Sequence, residues 1–161
     1  MPSLAYQIRL QDELVPGAFP DIRFSMFCGE ALPSVVGTEW TKAACNSIVE
    51  NWYGPTEATV ACSRYVLAGQ ALSDDAVPIG EPFSGMELFV LDDQLQPCSP
   101  HEAGEICLAG PQVASGYFND DEKTAASFVS LPGSGKRIYK TGDRGVIGSD
   151  GIAKFLGRMD K

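Results

Sequence analysis

Residues 51–57, Asn-Trp-Tyr-Gly-Pro-Thr-Glu, are the part of the sequence with the most obvious chemistry. Tyr53 offers a flat aromatic face for a purine, and Gly54-Pro55 predicts a turn whose backbone can approach a ligand closely. Thr56 supplies a hydroxyl donor for a phosphate oxygen, and Glu57 supplies a carboxylate suited to Mg²⁺ shared with phosphates. The stretch indicates a nucleotide site, and an ordinary surface turn with a solvated Glu57 is the alternative.

The elements around this stretch are typical of a βαβ unit. Residues 22–27 and 47–52 are apolar runs of strand length, and residues 33–44 carry a helical pattern between them. Two strands joined by a helix predict a parallel sheet. Because ligands bind beyond the carboxyl ends of parallel strands, residues 28–32 and 51–57 are expected to face one crevice.

The second half of the chain has short strand-like runs separated by glycine and proline, which predicts a small distorted antiparallel β-barrel. Asp150-Gly151 indicates a hairpin between the last two strands. Asn119 and Glu122 fit a capping box that starts a helix at residues 123–128. The predicted strands are residues 86–91, 104–109, 137–140, 145–147 and 152–156.

The predicted fold class is therefore α/β, with a partial parallel βαβ subdomain followed by the barrel. An Ala-, Gly-, Ser- and Asp-rich connector lies near residues 67–75. It divides the chain into residues 1–70, part of an α/β nucleotide-binding subdomain, and residues 71–157, the barrel.

Composition excludes some function classes. The 161 residues are 44% hydrophobic and carry a net charge of −9, which disfavours nucleic acid and anionic lipid as partners. No apolar run approaches the roughly 18 residues of a membrane-spanning helix. Five cysteines without a CxxC pair indicate reduced thiols in a cytoplasmic protein.

Four stretches, in order, resemble the core motifs of the adenylate-forming (ANL) enzymes. They are residues 51–57, 104–119, 139–144 (Tyr-Lys-Thr-Gly-Asp-Arg) and 157–161 (Gly-Arg-Met-Asp-Lys). Residues 26–30, 57–61 and 78–80 resemble the amino-acid adenylation domains of nonribosomal peptide synthetases and D-alanine–carrier protein ligases. The resemblance implies an internal fragment of the adenylate-forming fold, with residues 158–161 at the start of a hinge to a C-terminal lid outside this chain.

The resemblance also implies a role for each site residue. Tyr53 would stack on adenine, Asn51 would meet its exocyclic edge, and Gly54 and the backbone of Gly29, Glu30 and Ala31 would border the nucleotide. Thr56, at the α-phosphate, and Glu57, on Mg²⁺, would be the catalytic residues. Asp143 would accept hydrogen bonds from the ribose hydroxyls, a role that suits a carboxylate; capping the turn at residues 141–142 is the alternative. Arg158 would reach the nucleotide, unless it is an exposed cation, and Asp160 would be the hinge.

The resemblance places the amino-acid pocket at Met26, Cys28, Trp52, Val60 and Ala61. Cys28 is expected to be a small apolar wall, or an inert buried thiol, because no histidine lies near it in sequence. Trp52 replaces the small residue common in the family, so the pocket is expected to be reduced or reshaped.

The implied reaction joins an amino acid to ATP, with Mg²⁺, and passes the aminoacyl group to the phosphopantetheine thiol of a carrier protein. Neither the glycine-rich loop that wraps the outer phosphates nor the aspartate that holds the substrate amine is found. The chain is therefore expected to need the N- and C-terminal parts of the same enzyme and to be inactive alone. An acyl- or aryl-acid–CoA ligase fragment and a non-catalytic nucleotide-binding module are the alternatives.

Overall fold

The computed structural model describes residues 1–69, 72 and 74–159. The first half of the chain forms a four-stranded sheet in the order β1-β2-β3-β4. Its elements are α1 (Pro2–Leu10), β1 (Phe24–Phe27), α2 (Ser34–Ala43), β2 (Ile48–Tyr53), a 3₁₀ turn (Thr56–Ala58), β3 (Ser63–Leu67) and β4 (Glu81–Pro82). β1 and β2 are parallel and joined by α2, which confirms the predicted βαβ unit. β3 returns antiparallel to β2 and extends the sheet.

The second half forms an antiparallel sheet in the order β5-β6-β8-β7, with β9 also paired to β8. Its elements are β5 (Glu87–Leu91), β6 (Gly104–Ala109), α3 (Asp121–Ser127), β7 (Phe128–Ser130), β8 (Arg137–Ile147) and β9 (Ala153–Arg158). Gly151, with φ of +80°, lies in the tight turn between β8 and β9, as the Asp-Gly pair predicts. The α/β class with an antiparallel second sheet is confirmed.

Several boundaries differ from the predicted ones. The runs at 137–140 and 145–147 are one strand, β8, because the residues between them stay paired, with Asp143 opposite Arg158 of β9. Asp120 rather than Asn119 caps α3, accepting a bond from the Lys123 N–H, because Asn119 takes a left-handed φ of +53°. β3, β4 and β7 are strands that the sequence analysis does not identify.

Three apolar clusters among the described residues hold these layers, and the smallest consists of Leu91, Cys107, Ala109 and Ile138. α2 packs on the first sheet through Val36, which meets Phe27, Val49 and Leu67. A second core packs against one face of the antiparallel sheet: Ala58, Cys62, Ile79, Met86, Val90, Ile106, Leu108, Phe128, Tyr139 and Ala153. Because Ala58 and Cys62 flank the loop after β2, this core fixes that loop against the second sheet.

The division of the chain at residue 70 stays a prediction. β4, which follows that residue, belongs to the first sheet, and Gly80 forms a bridge with Ala153 of β9. Among the described residues, no helix combines the length and the apolar character needed to cross a membrane.

Candidate nucleotide site

A cleft of about 280 Å³ lies beyond the carboxyl ends of β1 and β2, where they approach β8 and β9. Eight of the nine residues predicted to bind the nucleotide line it: Gly29, Glu30, Ala31, Asn51, Tyr53, Gly54, Asp143 and Arg158. The structure thus brings the two predicted loops and the distant Asp143 motif into one crevice, while the role of each residue remains a prediction.

Tyr53 and Asp143 meet in this cleft although they belong to different sheets. The Tyr53 hydroxyl donates to Oδ2 of Asp143 at 2.6 Å, and Arg158 Nη1 donates to Oδ1 at 3.1 Å. Arg158 also donates to the carbonyl oxygen of Thr141 at 2.8 Å, which ties β9 to β8. The Asp143 carboxylate is thus held by the side chains of Tyr53 and Arg158, and neither bond caps the turn at residues 141–142. A carboxylate oxygen can accept two hydrogen bonds, so both oxygens keep capacity for ligand hydroxyls.

The Tyr53 phenol is a neutral hydrogen-bond donor. Burial, and then the hydrogen bond to the Asp143 carboxylate, raise the pKa of Tyr53 far above its ordinary value. Its ring centroid lies 6.3 Å from that of Phe155, which lines the cleft from β9. The cleft therefore has aromatic surface from both sheets, which suits the flat face of a purine.

Asn51 presents an unpaired acceptor in the wall of the cleft. Its side-chain amide donates to the carbonyl oxygens of Pro78 at 2.9 Å and Val77 at 3.3 Å, which fixes the orientation of the amide. The residue is 2% exposed, and its Oδ1 is buried without a hydrogen-bond partner in the structure. A buried acceptor without a partner is costly.

The loop after β2 is packed too closely for a side chain at Gly54. A Cβ added there would lie 2.6 Å from Cα of Ala61, closer than such atoms approach. The Cys62 N–H donates to the Tyr53 carbonyl at 2.8 Å and closes the same loop. Glycine at this position therefore lets the backbone fold back on itself beside the cleft.

Glu57 lies in a second, polar cleft of about 510 Å³ that shares Pro55 and Arg158 with the first. The Tyr117 hydroxyl donates to Oε1 of Glu57 at 2.6 Å. Burial alone raises the pKa of Glu57, but the hydrogen bond from Tyr117 and the charge of Lys123 contribute to a net lowering. Glu57 is thus an ionised, oriented carboxylate rather than a freely solvated one.

This geometry fits a Mg²⁺ ion that is shared with a nucleotide. In the part of the chain that the structure describes, no group of three or more potential ligands surrounds a metal position. Mg²⁺ is commonly held by one or two carboxylates together with substrate phosphates and water. Glu57 alone, next to the nucleotide cleft, matches that mode of binding.

The structure gives no cleft contact for Thr56 and does not describe Asp160. Thr56 is exposed at the first position of the 3₁₀ turn and lines neither of the two clefts. Asp160, the predicted hinge, falls outside the described residues. Their assigned roles therefore stay predictions.

The predicted amino-acid pocket is only partly assembled. Trp52 lines the nucleotide cleft, and the Cys28 thiol approaches the carbonyl oxygen of Val60 at 3.7 Å. Ala61 is buried against Gly54, whereas Met26 is 55% exposed and borders a separate depression beside α1.

The Cys28 thiol lacks the partner that a catalytic nucleophile needs. The single histidine, His101, hydrogen-bonds to the Ser149 hydroxyl at 3.0 Å, in the turn region of the second sheet. All five cysteines are free thiols. The interpretation of Cys28 as a non-catalytic residue stays a prediction.

Several residues at the site were not identified from the sequence. Tyr117 lies within the recognised 104–119 stretch, but its bond to Glu57 spans 60 residues and has no local signal. Phe155 and Val77 line the cleft from β9 and from the connector before β4. The Thr141 hydroxyl fixes the backbone next to Asp143. It donates to the Ile106 carbonyl and accepts from the Asp143 N–H.

Comparison with known proteins agrees with this geometry. The family model described as AMP-binding enzyme matches residues 1–118. The chain is 36% identical over 148 residues to nonribosomal peptide synthetase Ao415 of Arthrobotrys oligospora, covering 91% of this chain and 4% of that protein. It is 34% identical over 165 residues to the D-alanine–D-alanyl carrier protein ligase of Lacticaseibacillus casei, covering 99% and 31%.

A solved structure has the same fold. The Vibrio cholerae adenylation domain AlmE, in complex with glycyl-adenosine-5′-phosphate, matches with a TM-score of 0.85 and 29% identity. The match covers 98% of this chain and 30% of that one. The chain therefore spans less than a third of the length of each of these relatives.

The family match covers more than half of the chain, and the cleft contains the residues of three of the four recognised motifs. The chain belongs to the AMP-binding family of adenylate-forming enzymes, and it corresponds to a fragment of an adenylation domain like those of nonribosomal peptide synthetases.

Proposed function

We propose that this chain is the nucleotide-binding part of an ATP-dependent ligase that activates an amino acid. A carboxylate oxygen of the amino acid attacks the α-phosphorus of ATP, the bond to the β-phosphate breaks, and pyrophosphate leaves. The thiol of a phosphopantetheinyl carrier protein then attacks the acyl carbon, AMP departs, and a thioester forms with loss of the thiol proton. The observation that carries the proposal is the cleft in which Tyr53, Asp143 and Asn51 converge.

The contacts of the cleft support one orientation of the nucleotide. Adenine lies against the Tyr53 ring, with its amino group toward the unpaired Oδ1 of Asn51. The ribose hydroxyls donate to the Asp143 carboxylate, which Arg158 and Tyr53 hold in place. This orientation directs the phosphates toward the polar cleft that begins at Pro55 and Arg158.

Charge neutralisation is the main catalytic requirement, because both reactants are anions. Glu57 would hold a Mg²⁺ ion, which would supply positive charge at the phosphates. The Thr56 hydroxyl donates a hydrogen bond to the α-phosphate. The Arg158 guanidinium contributes positive charge near the phosphates. The lowered pKa of Glu57 supports this arrangement, because the residue is then ionised at neutral pH.

The names of the relatives support the amino acid and the carrier protein as partners, since one relative is a D-alanyl carrier protein ligase. Met26, Cys28, Trp52, Val60 and Ala61 belong to the amino-acid pocket in this proposal. The free thiols support a cytoplasmic location. Because the chain spans under a third of these relatives, we infer that it does not complete adenylation without the rest of the enzyme.

The test is AMP binding to the 161-residue chain by isothermal titration calorimetry. We expect saturable binding that Asp143→Asn weakens by about tenfold or more, because an amide offers a weaker acceptor to two ribose hydroxyls. Asp93→Asn, at an exposed position in the turn after β5, is the control and leaves the affinity unchanged. No AMP binding by the unsubstituted chain, or equal affinity in the Asp143 variant, would overturn the proposal.

A further inference from the structure

Strand β8 carries a bulge at the segment that bears Asp143. The pairing of β6 with β8 changes register after Glu105, so that Ile106 alone faces residues 141–143. β8 therefore has two residues in excess over β6 at this point. A bulge bends a strand and changes the direction of a side chain, and bulges are common next to active sites. Here the bulge contains the residue whose carboxylate reaches the cleft.

The backbone of the bulge is held from β6 by a side chain. The Gly142 N–H donates to Oε1 of Glu105 at 2.9 Å. The other oxygen of this carboxylate, Oε2, lies 3.3 Å from Nζ of Lys140, and the Glu105 side chain is only 15% exposed. A backbone N–H that loses its partner in such a setting is costly. Glu105 therefore stabilises the conformation in which the Gly142 N–H points toward β6.

The opposite side of the bulge is held from β9. Gly142 has a φ of +71°, a conformation that suits glycine, and its carbonyl oxygen accepts from the Met159 N–H at 2.9 Å. A Cβ added at Gly142 would lie 2.9 Å from Nη2 of Arg158, so the guanidinium packs directly against the glycine backbone. Gly142 is thus fixed through its N–H by β6 and through its carbonyl oxygen by β9.

These contacts determine where the Asp143 side chain points. The Asp143 N–H donates to the Thr141 hydroxyl at 3.0 Å, so the residues on both sides of Gly142 are joined across it. Asp143 lines the nucleotide cleft, whereas Glu105 does not. Any effect of Glu105 on the cleft is therefore indirect and passes through the backbone of residues 142–143.

We propose that Glu105 is a positioning residue that holds the bulge of β8 through the Gly142 N–H and thereby aims the Asp143 carboxylate at the ribose. This inference rests on the proposed function, in which Asp143 accepts hydrogen bonds from the ribose hydroxyls. Without an acceptor at position 105 the bulge relaxes, and the Asp143 carboxylate loses its orientation. The adenine contacts, which come from the first sheet, stay in place.

The test compares AMP with 2′,3′-dideoxy-AMP, which lacks both ribose hydroxyls, by calorimetric titration of the 161-residue chain. We expect AMP to bind about tenfold or more tightly than the dideoxy compound, the effect of hydrogen bonds to a carboxylate. Glu105→Leu removes the acceptor and reduces this preference to about threefold or less, while the dideoxy compound keeps its affinity within about twofold. An unreduced preference in this variant, or equal weakening of both nucleotides, overturns the positioning role.

Two further variants separate the acceptor from the charge. Glu105→Gln keeps a side-chain oxygen for the Gly142 N–H but removes the charge, and we expect it to retain the preference for AMP. Glu105→Asp keeps the charge but draws the carboxylate back by one methylene, so it should lose the preference even if the leucine variant does not fold. Glu87→Leu, which removes the ion pair with Lys136 on the same sheet, is the matched control and leaves the preference intact.

The bond to Gly142 has an independent readout in its amide signal. Thr141-Gly142 is the only Thr-Gly pair in the sequence, so labelling with ¹³C-carbonyl threonine and ¹⁵N-glycine selects this amide in NMR spectra. We expect slow hydrogen exchange in the unsubstituted chain and the glutamine variant, and fast exchange in the leucine and aspartate variants. Unchanged exchange in the leucine variant overturns the hold of Glu105 on the bulge.

The same measurements distinguish failure of this inference from failure of the proposed function. Equal affinity of the unsubstituted chain for the two nucleotides overturns the ribose role of Asp143, and the positioning role with it. Failure to bind AMP at all overturns the proposed function, whereas the Gly142 amide signal still reports on the bulge.

Discussion

The hydroxyl of Tyr53 donates a 2.6 Å hydrogen bond to the carboxylate of Asp143, across a separation of 90 residues. Tyr53 ends β2 of the first sheet, and Asp143 lies within β8 of the second. The contact thus joins the two sheets at the cleft, and it places two separate sequence motifs within reach of one ligand. A single bond therefore contributes both to the stability of the chain and to the geometry of the site.

Removing this bond should destabilise the chain. We expect Tyr53→Phe to lower the free energy of unfolding by about 1–3 kcal/mol, because a buried carboxylate oxygen loses a donor. Urea unfolding followed by circular dichroism measures the change. Tyr6→Phe, at an exposed position on α1, is the control and should change stability little. A stability equal to that of the unsubstituted chain would show that solvent replaces the phenol without cost.

Alkaline pH should unfold the chain in a way that depends on Tyr53. Folding raises the pKa of Tyr53, through burial and the Asp143 carboxylate, above the unfolded value of 10.0. The resulting stabilisation is fully present below that pH and is lost progressively as pH rises above it. The pKa of Tyr139 is also raised, mainly by burial, so its contribution to stability is lost in the same way as pH rises. Tyrosinate absorbance measures the ionisation, and circular dichroism recorded in the same titration measures the fold. We expect Tyr53 and Tyr139 to ionise only when the circular dichroism signal of the fold is lost. Ionisation of all tyrosines before unfolding would contradict this expectation.

The local order of the fold could be predicted from the sequence because it depends on short-range patterns. The apolar runs around residues 33–44 predict the βαβ unit, and the Asp150-Gly151 pair predicts the last turn. The continuity of β8 could not be predicted, because Gly142 and Asp143 are typical turn residues. They remain in a strand because Arg158 of β9 donates to the Asp143 carboxylate, and the Ile106 carbonyl of β6 accepts from the Thr141 hydroxyl.

Only the site residues that belong to recognisable sequence motifs could be predicted. Residues 51–57 and Asp143 carry recognisable patterns, and both reach the cleft. The bonds from Tyr117 to Glu57 and from Trp52 to Glu50 depend on where side chains meet in the folded chain. Glu50 illustrates the limit, because a glutamate within an apolar strand has no sequence signal that distinguishes a buried partner from a solvated charge.

Tyr117→Phe should weaken Mg²⁺-dependent ATP binding more than AMP binding. The substitution removes a donor that orients Glu57 and helps to lower its pKa, so the carboxylate becomes a poorer ligand. We expect a loss of about threefold to tenfold in ATP affinity with Mg²⁺, the effect of losing one hydrogen bond to a charged group. Calorimetric titrations of ATP with and without Mg²⁺, and of AMP, measure the difference. An equal loss for AMP and for Mg²⁺-ATP would indicate a general distortion instead.

The cysteines should differ in reactivity according to their burial. Burial raises the pKa of Cys62 and of Cys107 to about 12, whereas Cys45 is exposed. The thiolate is the reactive form, so iodoacetamide near neutral pH should modify Cys45 first. Mass spectrometry of peptides at timed intervals should find Cys62 and Cys107 unmodified until denaturant is added. Cys45→Ser is the control and removes the fast phase, and early modification of Cys107 would contradict the burial of β6.

One face of the first sheet should make the chain self-associate. Phe24, Met26, Ile48 and Val66 lie on the face opposite α2 and are between 44% and 61% exposed. Contiguous apolar surface of this kind favours association, and threonine keeps strand propensity while reducing apolar area. We therefore expect sedimentation velocity to show concentration-dependent association that Ile48→Thr with Val66→Thr reduces. Val15→Thr, at an exposed position outside this face, should leave the association unchanged. If the doubly substituted chain associates as strongly as the unsubstituted one, the contact lies elsewhere on the molecule.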